Sequence, residues 1–157
     1  MLRLFIALMM CVISTGAIAR ASGIAQGKFS TLSYERLQRL QPAIHKAFKA
    51  AQLLCRGDAI NVRTGFLRYL KGKEGVEFIA IHFDQVECFN RDALCSPNGC
   101  LHRIFVSKRG NLREVWRGDV LEIDMSNESG IPSIDIDCSQ RGSVCRHRMQ
   151  WNGRRFR

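Results

Sequence analysis

The chain is predicted to be an α+β domain stapled by disulfides: one N-terminal helix, kinked at Pro42, packed on an antiparallel sheet of six or seven strands. Three observations predict it. Apolar residues recur at helical spacing only once, from Leu37 to Leu54. Beyond residue 60 they come in short alternating or continuous runs separated by glycine-containing turns. Cysteines are frequent and even in number once an N-terminal leader is set aside.

The leader is residues 1–21. Met1-Leu2-Arg3 is a short cationic start, residues 4–13 are apolar but too few to span a bilayer, and small residues follow in Ala17-Ile18-Ala19 and Ala19-Arg20-Ala21. This is the pattern of a cleaved secretory signal, cut after Ala21, with Ala19 as the alternative. Cys11 follows Met9-Met10 rather than the small residue a lipidation site needs, so it is expected to leave with the leader. Location in the periplasm or outside the cell follows, with no membrane span in the mature chain. Residues 22–30, small and polar, are expected to be a flexible mature N-terminus, and residues 31–157 a single domain.

Within that domain Leu37, Leu40, Ile44, Ala47, Phe48, Ala51 and Leu54 fall on one helical face. Pro42 lacks a backbone donor, so it either kinks this helix or opens a second one; Gly57-Asp58 ends it. Strands are then expected over residues 65–70 and 76–86, the latter with the core Phe78-Ile79-Ala80-Ile81-His82-Phe83. Residues 89–99 are a loop. Residues 101–107 and 112–116 form a hairpin about Lys108-Arg109-Gly110-Asn111. Leu121, Ile123 and Met125 alternate with acids, as do Ile134 and Ile136, so each of these strands has one wet face; residues 144–151 close the set.

Six cysteines remain after Cys11: Cys55, Cys88, Cys95, Cys100, Cys138 and Cys145. No pair has the two-residue spacing of a zinc knuckle, and an exported chain favours disulfides. Cys138 continues the inward series of Ile134 and Ile136 and Cys145 begins that of His147, Met149 and Trp151, which pairs Cys138 with Cys145. Cys95-Ser96-Pro97-Asn98-Gly99-Cys100 can close on itself, leaving Cys55 for Cys88; six cysteines nevertheless allow fifteen connectivities.

The formal charge is +10, or +8 without Arg3 and Arg20, enough to attract polyanions. Residues 119–137 hold six acids and no Lys or Arg, while residues 141–157 hold six arginines and no acid. Cross-strand pairing of these two blocks is the simplest reading, with a dedicated polyanion-binding tail as the alternative. Residues 101–118 carry Arg103, Lys108, Arg109, Arg113 and Arg117 against Glu114 alone, which makes these five the candidate contact patch.

The turn Leu70-Lys71-Gly72-Lys73-Glu74-Gly75, the Cys95 to Cys100 loop and the ending Trp151-Asn152-Gly153-Arg154-Arg155-Phe156 together resemble a family. The family is one of small periplasmic proteins, common in alphaproteobacteria, with a DLNGDG-type turn, a CGxxGC loop and a WNGxxF ending. The likeness covers residues 30–157 and implies no established activity. In such relatives the turn offers carboxylates suited to calcium. Here Tyr69, Lys71 and Lys73 stand where Asp and Asn are expected, so the resemblance implies no cation site at this turn. The loop likewise lacks its first glycine, with Ser96 in that place.

His45, His82, His102 and His147 are the obvious candidates for acid/base or metal chemistry, and none lies in a recognised ligand spacing. Structural or surface histidines are the simpler reading. A small exported hydrolase or nuclease would need two histidines and a cation in one cleft, for which His82, His102 and Arg103 are the candidates. No Gly-x-Ser-x-Gly elbow, free thiolate or phosphate-cradling loop is present. Catalytic and metal residues are therefore not assigned, and no cofactor is expected. The expected role is non-catalytic: a binding or inhibitor-like module whose partner is an acidic protein surface or anionic glycan of the cell envelope. Nucleic acid is disfavoured by location. A structural envelope domain without a specific ligand is the remaining alternative.

Overall fold

The computed structural model describes residues 27–56, 60–137 and 146–157. The leader, residues 22–26, the helix stop at Gly57-Asp58 and the Cys138–Cys145 pair lie outside the described residues. The chain forms β1 (Ser30–Thr31), α1 (Tyr34–Arg39), α2 (Pro42–Cys55), β2 (Asn61–Val62), β3 (Leu67–Lys71), β4 (Glu77–His82), β5 (Val86–Glu87), β6 (Cys95–Ser96), β7 (Gly99–Lys108), β8 (Asn111–Val120), β9 (Glu122–Ser126), β10 (Ser133–Asp137) and β11 (Arg146–Gln150). The α+β class with antiparallel sheets holds, but both of its finer terms need correction.

There are two helices rather than one kinked helix. Ser33 caps α1, its Oγ accepting from Arg36 N. Leu40 and Gln41 are both extended, with ψ 145° and 144°; the Pro42 ring excludes helical backbone at Gln41, the residue before it, and α1 has already ended at Leu40. Pro42 then begins α2 at a position whose N–H would be unbonded anyway. Ile44, Ala47, Phe48, Ala51 and Cys55 form the buried face of α2, and the helix closes at Arg56 in the left-handed conformation.

Nor is there a single sheet. A central sheet runs β3-β4-β7-β8, with the short β6 beside the start of β7. β9, β10 and β11 form a second sheet, and β1, β2 and β5 a small third one. The wet-faced alternation of β9 and β10 explains the split. Ile123, Ile134 and Ile136 are buried while Asp124 is exposed, so these strands serve as a covering layer and cannot extend a sheet buried on both faces.

The central sheet thus has two cores. Ile79, Ile81 and Phe105 meet Ile44, Phe48 and Ala51 of α2. Phe78, Ala80, Ile104 and Val106 point the other way and meet Ile123, Ile134 and Ile136 of the second sheet, together with Phe156. Two disulfides staple the first side. Cys55–Cys88 ties the end of α2 to the chain after β5, and Cys95–Cys100 joins facing residues of β6 and β7, whose Cα atoms are 3.8 Å apart. Among the described residues no helix is long and apolar enough to cross a membrane.

Candidate functional site

Two arrangements stand out, both between the central and second sheets. The first is a groove of about 800 Å³ at the end of the central sheet where β3 turns into β4 and β7 into β8. The turn before β4 is shaped by Glu74 and Gly75, both at positive φ, and closed by Gly72 N donating to Val76 O at 2.8 Å. The β7–β8 turn is Arg109-Gly110, with φ 52° and 81°, the two positive values of a tight hairpin connection. The far wall is the closing hairpin, where Trp151 and Phe156 pair and the side-chain Oδ1 of Asn152 accepts from the backbone N–H groups of Arg154 and Arg155. Hence the turn and the ending on which the family resemblance rests wall one groove.

Its floor is apolar and its rim basic. The Phe78 ring meets those of Trp151 and Phe156 at 5.1 and 5.5 Å between centroids. Lys73, Lys108, Arg109 and Arg113 line the rim, against Glu74 as the one lining acid. Beside it Arg113 also borders a shallower depression with Arg154, Arg155 and Arg157, and donates to the Arg154 carbonyl at 2.9 Å. None of these seven cations has an acidic partner in an ion pair among the described residues.

The arginine-rich tail therefore divides. Arg148 pairs with Asp135 across the β10–β11 ladder through two hydrogen bonds of 2.9 and 2.7 Å, as cross-strand neutralisation requires, and the backbone register sets position 146 opposite 137. Arg154, Arg155 and Arg157 lie past the ladder and remain exposed beside the groove.

The five bases of the sequence-derived patch are also divided. Strict alternation would place Arg113 and Arg117 on one face of β8. The register slips between Ile104 and Phe105, so Ile104 faces Trp116 while Phe105 faces Glu114, leaving Val115 as the extra residue of a β-bulge. Val115 and Trp116 both pack into the second core. As a result Arg117 shares the helix-side face with Arg103, whose guanidinium binds Glu114 and covers the Phe105 ring. Lys108, Arg109 and Arg113 go to the groove.

The second arrangement is a buried pair of imidazoles at the opposite end of β4. His82 and His102 stand directly opposite in the β4–β7 register, on the face of the central sheet that looks to the second sheet. Their rings meet edge-on at 5.0 Å, with exposures of 2% and 0%. Asp84, in the turn after β4, completes a group that offers one ligand atom from each residue, these three atoms lying within 4.8 Å of one another. His82 Nε2, both His102 nitrogens and Asp84 Oδ1 meet no hydrogen-bond partner, while Asp84 Oδ2 accepts from the buried Gln85 amide. Burial pushes the His82 pKa down to about 3, helped by His102 and Arg68, and lowers that of His102 despite Asp84 and the nearby Val120 carbonyl.

This geometry bears on the nuclease alternative. The two histidines do converge, but inside the protein, and Arg103 projects from the opposite face of β7. His45, on α2, and His147, on β11, are separate from them.

Fold and surface together define a small disulfide-bonded domain of helices and antiparallel sheets with a basic groove over aromatic rings. Compared with known proteins, the chain matches no family model, no curated protein and no solved structure.

Proposed function

We propose that the protein is a non-catalytic binding module of the cell envelope that holds an anionic glycan in the groove between Trp151 and the β7–β8 turn. The observation that carries this reading is the seating of four bases around an aromatic floor. Guanidinium and ammonium groups on the rim attract carboxylate or phosphate, and an indole beneath them offers a flat apolar face for a sugar ring. An acidic protein surface would use the same bases but has less need of the floor. The two disulfides support a place in the periplasm or beyond, where oxidising conditions favour such bridges.

The test is retention on immobilised polygalacturonate, with polyglutamate and neutral dextran as comparisons, across a salt series. The expected order is polygalacturonate, polyglutamate, then dextran, with retention falling as salt rises. Lys108→Glu/Arg109→Glu/Arg113→Glu should reduce retention to the dextran level. Arg103→Glu, on the other face, should leave it unchanged. Equal retention of the triple variant and the parent protein would end the proposal, and stronger retention on polyglutamate would assign the groove to an acidic protein instead.

A further inference from the structure

We infer that His82, Asp84 and His102 form a binding site for a divalent transition-metal ion, zinc being the best match. Nothing in the groove reading requires it; it stands on the buried cluster alone. Donor type comes first. Two imidazole nitrogens with one carboxylate suit zinc and its neighbours, whereas calcium and magnesium prefer shells made of oxygen. The donor atoms already lie within 4.8 Å of one another, so small side-chain rotations bring them to a common centre. Three protein ligands leave a fourth position for water.

Burial supplies the second argument. Buried polar groups are almost always satisfied, yet His82 Nε2 and Asp84 Oδ1 have no partner, and His102 has only the Val120 carbonyl nearby. Leaving several such atoms unpaired in one spot is costly, and a cation bound among them would satisfy one atom of each residue.

Orientation is the third argument. The Gln85 side chain, 5% exposed, donates to Asp84 Oδ2 and leaves the buried Oδ1 without a partner, the kind of outer support that metal-binding carboxylates receive. The site has little solvent access, which suits an ion that fastens β4 to β7 rather than one that turns over substrate.

The test uses untagged mature protein with its disulfides intact, dialysed against chelator and then titrated with Zn²⁺. Binding of one Zn²⁺ per chain is expected, with a rise in Tm of roughly 5–10 °C at a hundredfold excess over Kd. Co²⁺ in its place should give the visible absorption of a low-symmetry nitrogen and oxygen site. His102→Gln should abolish both signals. Gln85→Ala, which keeps all three ligands, should weaken Zn²⁺ by about tenfold or more. His45→Gln should bind like the parent protein. If His102→Gln does not fold, the Co²⁺ spectrum of the parent and the Gln85→Ala affinity decide the matter. Absence of Zn²⁺-dependent stabilisation in the parent, or undiminished binding by both variants, would overturn the site.

Discussion

Metal-free protein should lose stability as the pH falls from 7.5 to 5, and the loss should trace to the two buried imidazoles. In the folded state His82 has a pKa of about 3, depressed first by burial and then by His102 and Arg68, against 6.5 when the ring is in solvent. The unfolded chain therefore takes up a proton near pH 6.5 that the folded chain refuses. Stability is full above that pH and declines as pH falls below it. At pH 5 the unfolded ring is charged and the folded one is not, so 1.5 pH units at 1.36 kcal/mol each give about 2 kcal/mol from His82 alone. His102 is shifted in the same direction and adds to the loss. The comparison stops at pH 5 because Glu122, whose pKa is raised by burial, works the opposite way on further acidification. Urea unfolding with chelator present, followed by tryptophan fluorescence at both pH values, measures the effect. His82→Gln carries any packing cost at both pH values, so its pH difference should be smaller than the parent's by about 2 kcal/mol. A parent protein equally stable at pH 7.5 and 5, or an unaltered pH difference in His82→Gln, would refute the argument.

Two further outcomes follow from the chain's constraints. The Cys55–Cys88 bridge spans 33 residues and Cys95–Cys100 only 5; loop closure then values them at about 3.7 and about 2 kcal/mol. Replacing both cysteines of the first pair by alanine should lower the urea midpoint more than replacing the second pair, and the reverse order would rule out loop entropy as the main term. Gly99 has φ +130°, and a Cβ there would sit 2.1 Å from the Val120 carbonyl carbon, whereas one at Gly75, φ +71°, would meet nothing within 4 Å. Gly75→Ala should thus cost about 1–2 kcal/mol from backbone conformation alone, and Gly99→Ala at least about 3 kcal/mol by opening the Cys100–Val120 pairing; equal costs by thermal or urea unfolding would contradict this.

Local periodicity made the elements legible, and their arrangement was not. The apolar face of α2 could be read from Ile44, Ala47, Phe48 and Ala51, because a single helix buries what its own spacing lines up. The wet faces of β9 and β10 were equally plain in the alternation of isoleucine with acid. Whether such strands join a large sheet or cover one depends on which neighbour they meet, which alternation leaves open. Pro42 allowed a kink or a fresh start, and the deciding fact was that Leu40 as well as Gln41 leaves the helix. The basic patch failed as a unit for a similar reason. Counting by twos along β8 puts Arg113 and Arg117 together, and only the adjacent apolar pair Val115-Trp116 hinted that the count breaks there. His82 and His102 lie twenty positions apart in sequence and meet because β4 and β7 pair in one particular register.

The groove and the histidine cluster share one inter-sheet layer, and β4 measures the distance between them. Phe78 belongs to the groove floor and His82 to the cluster, on the same face of the same strand. Four residues of extended chain separate them by about 13 Å. Perturbations that far apart and without shared partners usually add. Charge reversal at Lys108, Arg109 and Arg113 therefore leaves the donors of the cluster in place, and His102→Gln leaves the aromatic floor in place. Each site can fail its test without carrying the other down. What the two have in common is the central sheet: β4 and β7 supply a ring or a base to the groove at one end and an imidazole each to the cluster at the other, so the same strand pairing that buries Ala80 and Ile104 between them holds both ends in position.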